Sequence, residues 1–410
     1  MAFSRRDFLK RTCCTAAAGF AAASFNRFGL VNALAQSAQD YKALVCIFLF
    51  GGNDSNNMVV PLSTSGFASY QQTRSVLALP QGSLLAINPP SVGSAFGFHP
   101  RFTELQSLFN QKHLAVLTNV GTLAGWAGRT ADKIQAILGG NFPIIISLAG
   151  TNVFCEGLVA RAIESSGDPT RLLSGFGSSA ESQSRMSALQ NLLTFDTGLS
   201  LIQAASATTT NALQDSKALA DALASGPTLA TTFPNTGLAN QLKQVAQIIS
   251  MRSALGLQRQ IFFVSIGGFD THSDQLNAQN NLYPQLSQAM NAFYRATVEI
   301  GAASQVTAFT LSDFSRTYAP DSTSGTDHAW GGHHLIMGGA VHGGDFYGKF
   351  PTLALAGPDD ATDEGRWIPT TSLDQYAGTL ANWFGVPPAD LPTIFPNLPN
   401  FTTAVLNFVG

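Results

Sequence analysis

Uninterrupted apolar runs, rather than alternating apolar and polar positions, are the dominant pattern along this 410-residue chain. The run at residues 43–50 has no polar position and ends at two glycines. Strands that are buried on both faces of a sheet show such runs. Similar runs, with an occasional Ser, Thr or Asn, occur at residues 114–120, 144–148, 261–266, 306–311 and 352–355. The pattern therefore predicts a set of buried strands.

Several of these runs are separated by segments whose apolar residues recur at helical spacing. Residues 102–109 and 274–301 both show it, and strands that alternate with helices predict βαβ units. Residues from about 156 to 258 are rich in Ala, Ser, Thr, Gln and Leu and contain no convincing strand. We therefore predict an α/β fold with a large, mostly parallel central sheet flanked by helices. A single domain would span residues 36–410, with a helical cap or insertion at about 156–258.

The N-terminus is similar to a bacterial twin-arginine (Tat) signal peptide. It reads SRRDFLK at residues 4–10, followed by a weakly apolar, Ala-rich stretch and by Ala-Leu-Ala at 33–35. A basic N-terminal helix is the alternative interpretation. A Tat signal predicts removal of residues 1–35, the Tat translocase as a partner during export, and a periplasmic or secreted mature protein.

Composition excludes several classes of protein. Only 11% of residues are charged, against roughly 25% in an average protein, while 45% are hydrophobic, which argues against intrinsic disorder. Beyond the first residues there is no Lys/Arg block, so nucleic-acid binding is not expected. No later apolar run reaches the ~18 residues that span a bilayer, which argues against a stable membrane anchor. The first run is not followed by Gly-x-Gly-x-x-Gly, which argues against a dinucleotide-binding oxidoreductase.

Carboxylates and histidines follow the ends of three separate runs. Parallel strands bring their carboxyl ends to one edge of a sheet, and ligands bind at that edge. Each aspartate alone has the simpler interpretation of a turn residue or helix cap. Together they predict a divalent-metal site, since imidazole suits zinc and carboxylate also accepts magnesium, manganese or calcium. The candidate ligands are Asp54, Asp270, His272, Asp313, His328 and His333.

Five motifs together resemble those of the DUF1501 family, a group of uncharacterised, Tat-exported bacterial proteins. They are LVCIFLFGGNDSNNMVVPL, GGFDTH, LSDFSRT, GTDHAWGGHHLIMGGAVHGGDFYGKFP and LDQYAGTLANWFGVP. The family in turn resembles the alkaline phosphatase/sulfatase superfamily. The resemblance implies an alkaline phosphatase-like fold with a metal site at the strand ends.

The resemblance also implies how the candidate ligands are divided between two ions. Asp270 and His272 would serve one ion, completed by His328 or His333. The first-strand Asp54 would serve a second ion with Asp313.

Two departures weaken the case for that second ion. Phe314 stands where phosphatases of this type have a ligand histidine. Asp313 replaces the glutamate that the family usually has, and its shorter side chain reaches less far.

A third departure concerns the nucleophile. The family commonly has a Ser-His-Phe segment before a Gly-Trp-x-Gly-Arg motif, whereas here residues 120–124 read VGTLA and lead directly into GWAGR. Thr122 and Ser55 are the weak candidates that remain, and Ser55 could instead cap a helix or approach the metal. We therefore expect any ester hydrolysis to be weak or to use a water molecule activated by the ion.

Two functions follow from these features. The first is a metal-dependent hydrolase of phosphate or sulfate esters, in which Arg316 or Arg129 holds a small anionic ester, because guanidinium matches phosphate oxygens. A surface salt bridge for Arg316 and a helix-terminus contact for Arg129 are the simpler interpretations. The alternative function is a non-catalytic exported protein that retains the fold and binds a partner or a cell-surface polymer. The missing Ser-His-Phe segment favours this alternative.

Overall fold

The computed structural model describes residues 41–121, 125–139, 142–165, 179–195 and 198–410. The predicted signal peptide and Thr122 lie outside these residues. The strands are β1 Lys42–Leu49, β2 Val59–Pro61, β3 Leu85–Ile87, β4 Phe96–Phe98, β5 Leu114–Val120, β6 Ile145–Ser147, β7 Ala162–Glu164, β8 Arg259–Ile266, β9 Val306–Ser312, β10 Ser315–Arg316, β11 His328–Ala329, β12 Gly332–Gly338 and β13 Phe346–Tyr347. The α-helices are α1 Thr64–Arg74, α2 Thr103–Asn110, α3 Ala127–Leu138, α4 Ala180–Leu193, α5 Ser200–Ala224, α6 Gly237–Ser250, α7 Gln275–Glu299, α8 Leu373–Phe384 and α9 Leu391–Ile394.

Within the residues that the structure describes, eight strands form one large sheet in the order β13-β5-β12-β9-β1-β8-β6-β7. Strand β1 lies at its centre and pairs in parallel with both β8 and β9. Strand β12 runs antiparallel to both of its neighbours, β5 and β9, and the remaining pairs of this sheet are parallel. The sheet is therefore large and mostly parallel, as the apolar runs predicted. Strands β2, β4 and β3 form a small antiparallel sheet, and β10 pairs with β11.

Burial on both faces explains the apolar run of β1. Val45 and Ile47 face a core that includes residues of α2, α6 and α7. Leu44 and Cys46 face the opposite core, which includes residues of α3, α8 and α9. Because each side of the strand meets a helical layer, a polar side chain at these buried positions would lose its hydrogen bonds to water.

The sequence interpretation missed the short strands β2, β3, β4 and β13, and it differs from the structure at three further places. Residues 352–355 form a loop rather than a strand; they have no partner strand, and the backbone N–H of Thr352 donates to the Asp359 carboxylate. The strand β7 interrupts the segment 156–258, where none was expected. Strand β12 was missed because glycines flank it and two histidines precede its apolar residues.

Helices α4, α5 and α6 make up most of the segment 156–258 that the structure describes. Helix α6 packs against α7 and β8, and its buried face belongs to the main core. Helix α4 is exposed along most of its length. Within the described ranges, no helix combines the length and apolar character that crossing a bilayer requires.

Candidate metal centre

Three loops meet beyond the carboxyl ends of β1, β8 and β9. The loop after β1 reaches the other two through Gly51 and Gly52, which have φ values of 108° and 82°. A Cβ atom on Gly51 would clash with the backbone of Asp270, and one on Gly52 would clash with the ring of Phe314. Glycine is therefore required here both for its backbone conformation and for the close approach.

Asp270, His272 and His328 bring three potential ligand atoms together at this edge. The two Nε2 atoms lie 3.1 Å apart, and they lie 3.2 and 3.3 Å from Oδ1 of Asp270. Three ligands of a tetrahedral zinc ion, with bonds of about 2.0–2.1 Å, are separated by about 3.3–3.4 Å. The three atoms thus have nearly the spacing of one face of such a tetrahedron. Their side chains are about half exposed, at 59%, 49% and 52% for Asp270, His272 and His328.

Arg316 sets the electrostatic state of this cluster. Its guanidinium group is fully buried and donates to Oδ1 of Asp270. That hydrogen bond is the main reason why the pKa of Asp270 lies below its usual value, with smaller contributions from the two histidines. Asp270 is therefore a carboxylate at neutral pH, which is the form that binds a cation.

The β10–β11 hairpin holds His328 in place. Arg316 and His328 are paired across this hairpin, and the ring of Phe314 stacks on His328 with centroids 3.9 Å apart. Arg366 donates to the His328 carbonyl oxygen over 2.9 Å. Phe314 stands where the family resemblance implied a ligand histidine, and its ring instead orients the ring of His328.

Asp54 lies at the same edge but in a different environment. Its carboxylate is buried and pairs with the equally buried Arg74 of α1. Further donors to the two carboxylate oxygens come from the backbone and side chain of Asn56 and from the side chains of Gln275 and Gln279. Gln275 also accepts from Thr271, next to Asp270, so the two groups are neighbours. Hydrogen-bond donors therefore surround both carboxylate oxygens of Asp54, where a bound ion would have to lie.

Asp313 and His333 are also separate from the cluster. Asp313 accepts from the backbone N–H of Gly51 at 2.6 Å and so holds the β1 loop. His333 is buried, and its Nδ1 accepts from the backbone N–H of Asn119 at 3.0 Å. Burial lowers the pKa of His333 to about 3, so its ring is neutral. The structure therefore brings His328, and not His333, to Asp270 and His272.

The two arginines predicted to hold an anion donate to protein oxygens. Arg316 donates to the carbonyl groups of Gly51, Gly52 and Thr326 as well as to Asp270. Because its side chain is fully buried, the structure does not place it where an incoming anion would meet it. Arg129, in the first turn of α3, is exposed and donates to carbonyl groups of Gly125 and Ile394.

Of the two weak nucleophile candidates, the structure describes Ser55. Ser55 is buried, and a Cβ atom on Gly332 would lie 3.5 Å from its Oγ. This position is on the interior side of the edge rather than among the exposed ligand atoms. Thr122 lies outside the described residues.

Sequence reasoning missed the partners of Asp54, and it missed Asp327, whose Oδ1 lies 3.4 Å from Nδ1 of His272. No local signal connects Asp54 with Arg74, which is 20 positions away on a separate helix. Gln275 and Gln279 are one helical turn apart at the start of α7, a spacing that puts both on one face. Asp327 directly precedes a candidate ligand, which is a signal that could have identified it.

Fold and site together define an α/β protein with one compact Asp-His-His cluster at the carboxyl edge of its sheet. The model of the family described as "Protein of unknown function (DUF1501)" matches residues 160–363, which include the whole cluster. This match supports the family assignment that the motifs indicated. A comparison with curated proteins gave no match.

Proposed function

We propose that this protein binds one divalent transition-metal ion through Asp270, His272 and His328 and hydrolyses a phosphate or sulfate ester there. The observation that supports this proposal is the mutual spacing of 3.1–3.3 Å among three ligand atoms, two from the loop after β8 and one from β11. Half-exposed side chains leave room for further ligands, and catalytic zinc sites keep such an open position beside three protein ligands.

The donor set narrows the choice of ion. Two imidazole nitrogens and one carboxylate suit zinc and neighbouring transition metals, whereas magnesium and calcium prefer oxygen ligands. When bound, such an ion supplies Lewis-acid polarisation of an ester oxygen and lowers the pKa of a water molecule toward ~7. Asp270 and Asp327 together balance the double positive charge of such an ion, and the nearby Arg316 guanidinium adds one positive charge, which favours an anionic ester.

The protein holds the ligand side chains in position and keeps the Asp270 carboxyl group ionised. Arg316 keeps Asp270 ionised, and Phe314 fixes the plane of the His328 ring. Ser55 is buried and hydrogen-bonding groups fill the surroundings of Asp54, so we propose that a water molecule rather than a side chain attacks the ester. Ser55→Ala and Thr122→Ala should each change turnover little. A phosphorylated or sulfated Ser55 or Thr122, trapped during turnover, would contradict this route.

Elemental analysis of the purified mature protein, together with a panel of generic phosphate and sulfate esters, tests the proposal. We expect close to one zinc-type ion per chain, and loss of both metal and activity in Asp270→Asn and His272→Ala. His342→Ala is the matched control, because it removes an exposed histidine that lies outside the cluster. A protein that takes up no zinc, manganese or iron would contradict the proposal.

The alkaline phosphatase-like fold and export by the Tat route are parts of the same proposal. The motifs quoted above support the first, and the twin arginines at positions 5 and 6 support the second. Replacing Arg5 and Arg6 together by lysine should leave the protein in the cytoplasm. Normal export of that double variant would contradict the Tat proposal and leave the metal centre untouched.

A non-catalytic, exported binding protein is the second candidate. Two observations favour it. Asp54 pairs with Arg74, so it is not free to bind a second ion, and Arg316 donates to protein oxygens rather than facing a substrate. Such a protein would bind zinc at the same cluster but turn over none of the esters. Binding of a cell-surface polymer that depends on the metal would then be expected, and steady ester turnover would exclude this candidate.

A further inference from the structure

The ring of His272 has acidic groups on both of its nitrogen sides. Its Nε2 faces Asp270 and His328, while its Nδ1 lies 3.4 Å from Oδ1 of Asp327. His272 therefore also belongs to a second group of potential metal ligands, which consists of His272, Asp321 and Asp327. A neutral imidazole has one lone pair, so it can serve only one of the two groups as a ligand.

The surroundings of Asp321 favour a structural role for this residue. Its Oδ1 accepts from the backbone N–H groups of Thr323 and Gly325 and from the Thr323 hydroxyl, each at 2.8 Å. These bonds close the loop around residues 321–325 on itself. The same hydroxyl oxygen of Thr323 also lies against the carbonyl oxygen of His272, so its one proton serves either acceptor. Asp321 thus shapes the loop that packs on the backbone of His272.

Hydrogen bonds also fix the backbone of Asp327. Its N–H donates to the hydroxyl of Thr317 at 3.0 Å, and its carbonyl accepts from the N–H of Thr317 at 2.9 Å. Next to it, Thr326 donates its N–H to the carbonyl of Thr271 at 3.0 Å. The carboxylate of Asp327 is consequently held beside His272 by the segments on both sides of it.

We infer that Asp327 is a positioning residue that accepts the Nδ1–H of His272 and so leaves the Nε2 lone pair for the ion held with Asp270 and His328. This inference rests on the metal centre proposed above. Histidine ligands generally donate their other ring N–H to a carboxylate or carbonyl group, which fixes the tautomer and the ring orientation. The two atoms are 3.4 Å apart, so a hydrogen bond needs them to approach by a few tenths of an ångström, which ligand binding commonly brings about.

Zinc titration of the full mature chain, monitored by calorimetry, tests the inference. Asp327→Ala should weaken zinc binding by about 10–100-fold, the usual effect of losing such a partner. Asp327→Asn keeps an oxygen acceptor and should recover part of that loss. Asp274→Asn is the matched control, since it removes an equal charge two positions from His272, and Asn tolerates the left-handed φ of 49° found there.

A spectroscopic measurement separates positioning from general damage to the fold. In the zinc-loaded protein with ¹⁵N-labelled histidine, two-bond ¹H–¹⁵N correlations should show His272 protonated at Nδ1, and Asp327→Ala should alter that pattern. Unchanged zinc affinity in Asp327→Ala, with tight binding by the wild-type chain, would overturn the inference alone. Loss of binding in Asp321→Asn but not in Asp270→Asn would place the ion on the other side of the ring and overturn it as well. Absence of zinc binding by the wild-type chain would refute the metal centre itself and the inference with it.

Discussion

The sequence Gly-Gly-x-Asp occurs twice in this chain, after β1 and after β8, which are neighbouring parallel strands. The two aspartates nevertheless have opposite surroundings. The side chain of Asp54 is 1% exposed, whereas that of Asp270 is 59% exposed. Each of them pairs with a fully buried arginine, Arg74 in the first case and Arg316 in the second.

The difference lies in what else surrounds each carboxylate. Around Asp54, two glutamine amides and Asn56 add to Arg74, so both oxygens are satisfied within the protein. Around Asp270, the additional neighbours are two histidine nitrogens, which are half exposed and able to bind a cation. The same local sequence therefore yields a structural ion pair at one strand end and a candidate metal centre at the next.

Arg74→Ala should have the largest effect on stability. Removing one partner of a buried ion pair leaves the other charge uncompensated and costs about 3–5 kcal/mol in the free energy of unfolding. Asp270→Asn should cost less, about 1–2 kcal/mol, because that carboxylate is exposed, the amide still offers an oxygen, and three carbonyl groups continue to accept from Arg316. Urea unfolding of both variants measures the difference. Equal losses would refute the contrast between the two sites, and Arg74→Lys serves as a milder variant if Arg74→Ala does not fold.

Much of this architecture could be predicted from the sequence. The strands at residues 43–50, 261–266 and 306–311 were predictable because burial on both faces makes their sequences predominantly apolar. Parallel topology then placed Asp54 and Asp270 at the same edge. The neighbours of each aspartate could not be predicted, because they come from helices and loops that are distant in the chain.

The roles of the histidines show the same limit. His328 and His333 are five positions apart, and their sequence contexts are both polar and rich in glycine. Only the antiparallel strand β12, which the apolar pattern did not reveal, puts His333 inside the protein. Burial, and not residue type, decides which of the two can meet an ion.

Zinc should stabilise the native protein through the exposed site alone. At a free zinc concentration 100 times the dissociation constant, binding adds ~2.7 kcal/mol to the free energy of unfolding. Arg74→Lys should keep this increment, although its starting stability is lower. His328→Ala should lose it. Unfolding curves with zinc and with a chelator measure the increment, and its absence from Arg74→Lys would show that the two sites are coupled.

Acid should act through buried histidines. Burial lowers the pKa of His333 to about 3 and that of His334 to about 4, whereas the unfolded chain has values near 6.5. The unfolded state therefore binds more protons between about pH 4 and 6.5, so the free energy of unfolding falls as the pH falls through this window. Each histidine contributes at most ~1.4 kcal/mol per pH unit. Urea unfolding in chelator at pH 7, 6 and 5 should show this slope, and His334→Gln should reduce it. An identical slope in that variant would contradict the assignment.

We expect the smallest loss of stability from substitutions of the two glycines that precede Asp270. Gly268 has a φ of 102°, but a Cβ atom there would meet only the side chain of Leu282, at an ordinary contact distance of 3.5 Å. Gly268→Ala should therefore cost about 1 kcal/mol, from backbone strain alone. Gly267→Ala is the matched control, because its φ is not positive and the nearest atom lies 4.0 Å away. Gly52, in contrast, faces the ring of Phe314 and has no such space. If the loop before Asp270 is as open as these distances indicate, Gly268→Ala will retain zinc binding. A loss of stability as large as that of Arg74→Ala would show instead that this loop is packed as tightly as the one that carries Asp54.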